Sequence, residues 1–116
     1  MDTSIRHISV DEFYPRWLVA GEKGEACKVI DVRSSEEYAC GHIPSARLVP
    51  LNTLPGAAHD IERDEPVYLI CQGGVRSLQA LDYLKREHGL DNLVNINGGT
   101  MAWIKAGYPT EQAGAR

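Results

Sequence analysis

The chain has 116 residues, enough for one compact domain with its own core, and a composition of 43% hydrophobic and 24% charged residues excludes the disordered and fibrous classes. A formal net charge of −4 with no Lys/Arg run argues against nucleic acid or an acidic membrane as the main partner, since both are bound through clustered cations. "MDTSIRHISV" lacks a basic, then apolar leader, no stretch nears the roughly 18 apolar residues of a membrane span, and Cys27, Cys40 and Cys71 have no paired spacing. A cytoplasmic protein with reduced thiols is therefore expected.

In chain order, "SVDEFYPRWLVAG" predicts a first helix with Phe13, Trp17 and Leu18 on one side, in which Pro15 must occupy the first turn or break the helix. Gly21 and Gly24 are expected to end it. "CKVIDV" (27–32) reads as a buried strand, and "RSSEEYACG" as a short helix with a Ser cap and with Glu36 and Glu37 in its first turn, where carboxylates suit the helix dipole. "ARLVPL" (46–51) is a further strand. "TLPGAAHDIERDE" has no strong period and predicts a short helix plus a surface loop, after which "PVYLI" (66–70) is the most apolar strand. In "SLQALDYLKREHG" Leu78, Leu81 and Leu84 recur every three residues, Lys85, Arg86 and His88 fill the last turn, and Gly89 is the stop. "LVNI" (93–96) is the last strand, "GGTMAWIKAGYP" a final short helix ended by Gly107 and Pro109, and residues 110–116 have nothing to bury and are expected to fray. Strands alternating with amphipathic stretches predict an α/β fold around a parallel sheet.

"VYLICQGGVRS" places Cys71 where the most buried strand ends and the best helix begins, the position at which open parallel sheets bind ligands. Gly73 and Gly74 allow the backbone to fold tightly, so that N–H groups from Gln72 to Arg76 can converge on one centre with a helix N-terminus behind them. The anion so held can be the cysteine's own sulfur. Two charge-assisted N–H bonds at about 1.5 kcal/mol each suffice to make the thiolate dominant at neutral pH. Arg76 adds a permanent positive charge. On composition alone, a small buried cysteine before a glycine turn remains an equally good reading.

"CQGGVRS" resembles the active-site loop of the rhodanese-like sulfurtransferases, Cys-x-x-Gly-x-Arg/Ser/Thr. "VIDVRSSEEYACGHIPSARLVPL" (29–51) and "INGGTMAWIKAGYP" (96–109) are similar to that family's two flanking signatures, so the resemblance runs from about residue 5 to 109. Ser45 stands where glycine is usual, and Leu48 and Val49 near a common Asn. The resemblance implies a five-stranded parallel sheet with helices on both faces and a single domain over residues 1–116. It also implies a Cys71 nucleophile that takes a sulfane sulfur from thiosulfate or a persulfide and passes it to cyanide, a thiol or a protein, without a cofactor. Cys71 and Arg76 would be the catalytic pair, with Gln72, Gly73, Gly74, Val75 and Ser77 around the substrate. Four residues separate Cys71 from Arg76, one fewer than in tyrosine-type phosphatases and related arsenate reductases, so the ring suits one sulfur better than a phosphate. Non-catalytic modules of the family commonly lack the loop cysteine.

Asp31, Arg33, Glu37 and His42 are expected to support the loop, with Glu37 paired to Arg76 because a guanidinium fork matches a carboxylate. His42 is expected to bond to backbone, since Cys40 and His42 alone make no metal site. Cys40 as a resolving thiol is the weaker reading beside a packing or surface thiol. Trp17 and Trp103 read as core aromatics.

Overall fold

A computed structural model of the chain, describing residues 5–112, contains β1 (Arg6–Ser9), α1 (Val10–Glu22), β2 (Lys28–Asp31), α2 (Ser35–Cys40), β3 (Arg47–Leu48), α3 (Leu54–Ala57), β4 (Val67–Ile70), α4 (Val75–His88), β5 (Leu93–Asn97) and α5 (Gly99–Lys105). The strands form one sheet in the order β1-β5-β4-β2-β3, with every pair parallel. Parallel strands are covered on both faces, and this sheet has a different core on each. Val67 and Leu69 of β4 pack among Ala80, Leu81 and Leu84 of α4, whereas Tyr68 and Ile70 turn to Phe13 of α1 and Trp103 of α5. Cys71, the next residue, continues the two-residue alternation onto the α4 face. Strand register therefore aims the sulfur at the helix that follows it.

The fifth strand is β1, which no apolar run announces: only Ile8 of its four residues is buried. It is an edge strand paired to β5, and edges carry polar residues because one side of their backbone meets water. α1 runs through Pro15 at its sixth position, past the first turn, and through Gly21 to Glu22; the capping box of Ser9 and Glu12 secures its start. Beyond the proline it is anchored by Trp17, whose ring lies 5.6 Å from Trp103 and whose Nε1 donates to the Pro44 carbonyl. Leu18, expected beside Phe13 and Trp17, is instead 41% exposed.

α4 starts at Val75, two residues early, because Gly74 caps it at φ 112°. Its buried face is Ser77, Ala80, Leu81 and Leu84, and Leu78 is only half-buried. The predicted strand over 46–51 shrinks to Arg47–Leu48, since the chain turns into a 3₁₀ segment at Leu51. The stretch from 110 is anchored at Glu111, which exchanges two 2.9 Å backbone hydrogen bonds with His42; residues 113–116 lie outside the described residues.

Candidate active site

Cys71 lies one residue past β4 and is 1% exposed. The Gly74 N–H donates to its Sγ at 3.1 Å, and in the thiol form Sγ–H donates to the buried Ser77 hydroxyl at 3.3 Å. Burial pushes the thiol pKa up, but the Ser77 hydroxyl and the backbone N–H groups of Ser77, Gly74 and Gly73 outweigh it, leaving the pKa below the ordinary thiol value. Thus hydrogen bonds, more than a neighbouring cation, stabilise the thiolate. Ser77, expected among substrate contacts, touches the sulfur itself. Its backbone N–H joins from one residue beyond the expected Gln72–Arg76 stretch, because the first turn of α4 curls back over Sγ.

The loop is held from behind by α5. Thr100 N–H donates to the Cys71 carbonyl at 2.8 Å and Met101 N–H to the Gln72 carbonyl at 3.0 Å. These are helix N-terminal donors with no partner in their own helix. With the two carbonyls fixed outward, the following N–H groups are left to face the sulfur. The approach is so close that a Cβ on Gly99 (φ 64°) would stand 2.4 Å from the Cys71 oxygen and 2.6 Å from the Gln72 oxygen. The sequence carries a trace of this clamp, a second Gly-Gly between strand and helix at Gly98–Gly99, but the partner of that turn is invisible without the sheet order.

Arg76 and Glu37 form the expected pair, in a two-pronged arrangement with Nη1–Oε1 2.7 Å and Nη2–Oε2 2.8 Å. The Arg76 bonds hold the Glu37 carboxyl down to about 2, helped by the Ser34 backbone and hydroxyl at the start of α2. In turn, Glu37 does more than the Cys71 thiolate to keep Arg76 protonated. Arg33 is 3% exposed and grips the fully buried Asp31 through Nε and Nη2, both at 2.9 Å. Its Nη2 also donates to the Gly41 carbonyl and its Nη1 to Gln72 Oε1 at 3.1 Å. The Gln72 side-chain oxygen is therefore tied to the wall of the site, while Val75 is 70% exposed at its rim.

His42 Nδ1 meets the Tyr38 carbonyl at 2.8 Å and its ring stacks on Tyr38 at 3.6 Å, as a structural histidine does. Cys40 is exposed and Cys27 half-buried, both free; burial pushes the Cys27 thiol up, the opposite of Cys71. Among the described residues no three His, Cys, Asp or Glu side chains gather to hold a metal. No helix among them is long and apolar enough to cross a membrane.

A family model of the rhodanese-like domain matches residues 14–106. The chain belongs to the rhodanese-like family. A sulfurtransferase of Allochromatium vinosum is 36% identical over 81 residues, 70% of this chain and 75% of that protein. The putative sulfur carrier protein YrkF of Bacillus subtilis is 30% identical over 101 residues, 87% of this chain but 52% of its own length, so the chain spans about half of that relative. The crystal structure of a rhodanese-related protein from Thermoplasma volcanium matches with a TM-score of 0.75 at 33% identity, covering 90% of this chain and 96% of that one. This rhodanese-like domain thus has relatives named for sulfur transfer and sulfur carriage, on a five-stranded parallel α/β fold.

Proposed function

We propose that this single rhodanese-like domain is a cytoplasmic sulfurtransferase in which Cys71 carries a sulfane sulfur from thiosulfate or a persulfide to cyanide, a thiol or a protein acceptor. The observation that carries the reading is the buried Cys71 Sγ beneath the Gly74 N–H and the Ser77 hydroxyl, with its thiol pKa lowered. The thiolate attacks the outer sulfur of the donor, whose S–S bond breaks as the leaving group departs with the electron pair. The persulfide sulfur that remains carries negative charge close to the loop N–H groups and the α4 N-terminus, which are already oriented. An acceptor thiolate or cyanide then attacks that outer sulfur and returns Cys71 as thiolate. Arg76 is turned to Glu37 rather than into the loop, which speaks against a phosphate cradle, where the arginine would have to grip the phosphate oxygens.

Intact mass is the direct test. Incubation with donor should add one sulfur to the chain and cyanide should remove it as thiocyanate. Cys71→Ser should lose both steps, while Cys27→Ser and Cys40→Ser keep them. Undiminished thiocyanate formation by Cys71→Ser would sink the assignment.

A further inference from the structure

We infer that the site takes its sulfur from a thiol persulfide in preference to thiosulfate, because both of its arginines are already matched by carboxylates. This names the donor of the transfer proposed above and rests on that reading. In thiosulfate the outer sulfur is joined to a sulfonate, so when that sulfur meets Cys71 the sulfonate must stay at the loop's mouth with its charge. What it meets there is close to neutral. Glu37 occupies both Nη1 and Nη2 of Arg76, and Arg33, 3% exposed, is gripped by Asp31 with its Nη atoms on Gln72 and Gly41. The α5 N-terminus offers nothing either, since the Thr100 and Met101 N–H groups are on the Cys71 and Gln72 carbonyls. The loop's own donors face Sγ and serve any donor equally.

At the rim of the loop Val75 presents an apolar side chain that is 70% exposed. An anion approaching the chain also meets a net charge of −4. A persulfide on an uncharged carrier brings no sulfonate to the mouth, and its carrier faces Val75 there.

Both donor reactions balance. With thiosulfate, Cys71–S⁻ plus S–SO₃²⁻ gives Cys71–S–S⁻ plus SO₃²⁻; with a persulfide, Cys71–S⁻ plus HS–SR gives Cys71–S–SH plus RS⁻. The first brings two negative charges to the mouth and releases two, whereas the second brings none and releases one.

The experiment compares thiosulfate with 2-hydroxyethyl persulfide on the whole chain, using sulfur loading of Cys71 by mass and kcat/KM at low and at physiological salt. Wild type should prefer the persulfide at least about tenfold, and salt should not lower kcat/KM for thiosulfate. Glu37→Gln keeps one acceptor oxygen for Arg76 and for Ser34 but unbalances the guanidinium charge. The ratio of thiosulfate to persulfide kcat/KM should then rise roughly tenfold, about 1.4 kcal/mol, and the thiosulfate reaction should become sensitive to salt. A wild-type preference for thiosulfate, or an unchanged ratio in a folded Glu37→Gln, overturns the donor assignment while sulfur loading leaves the transferase reading standing. Should Glu37→Gln not fold by circular dichroism, wild type decides alone, since a thiosulfate kcat/KM that falls with salt overturns the inference. If neither donor loads wild-type Cys71, the transferase reading fails and the inference with it.

Discussion

Two neighbouring turns, one after β4 and one after β5, are built alike and do different work. Each follows a buried strand, carries a Gly-Gly pair, and enters its helix through a left-handed glycine, Gly74 at φ 112° and Gly98 at φ 82°. In the first, the freed helix N–H groups face the Cys71 sulfur; in the second, they face the carbonyls of the first. A strand-to-helix glycine turn therefore does not define a site. What decides is the atom that sheet order places opposite its donors, and β4 and β5 are adjacent in this sheet.

The strongest break in that comparison is a single methyl group placed in each turn. Gly99→Ala drives a Cβ into two backbone oxygens that cannot rotate away, at a backbone angle unsuited to alanine, and should cost about 3 kcal/mol or more in urea unfolding. Gly73→Ala meets nothing within 4 Å and needs no left-handed angle, so it should cost less than about 1 kcal/mol. Equal losses would show that the two turns are interchangeable.

Ser77→Ala removes a donor to the sulfur without touching the clamp, at about 1.5 kcal/mol against the thiolate. The pH midpoint of Cys71 alkylation should start below the ordinary thiol value in wild type and move up in the variant. The linkage has a definite sign. With the folded pKa lowered, the thiolate's contribution to stability is complete above the unfolded value of 9.0 and fades as pH falls through the folded one. A midpoint that stays put in Ser77→Ala would remove the hydroxyl from the account.

Arg76→Ala and Glu37→Ala should each lower sulfur transfer, and their double-mutant cycle should show a coupling of about 0.5–1 kcal/mol, moderated because each side chain is about a third open to water. Additive losses would show that the pair does not act as one. The smallest expected effect lies at Ser45, which is exposed and adopts φ 74° where glycine is usual in the family. Ser45→Gly should stabilise the fold by about 0.5 kcal/mol, the relief of left-handed strain less the entropy glycine adds to the unfolded chain.

Much of this was legible because the signals are local. The loop glycines and the Gly89 stop follow from turn requirements, whereas the role of Cys71 and the choice of Glu37 as partner for Arg76, 39 residues away, came from the family resemblance. β1 was not, since "RHIS" shows one buried residue and gains its identity only by pairing with β5. Pro15 suggested a break that packing of Phe13 and Trp17 overrides. The tie from Arg33 to Gln72 and the clamp from α5 join residues far apart in sequence, which nothing short of the sheet order brings together.

That order also sets a timetable for synthesis. β5 lies between β1 and β4, and Asn97, at its end, trails His7 of β1 by 90 residues. At about 5–20 residues per second a ribosome needs about 5–18 s to cover that gap. For that time β1 waits without its only neighbour, while β4, with all four residues apolar, lacks a partner on one side only for the shorter gap from Ile70 to Leu93. The sulfur loop waits too, because the helix that clamps its carbonyls is made after β5. A nascent chain is thus at its most adhesive just before it becomes reactive, and a chaperone or a slow codon acting between β4 and α5 would affect both properties together.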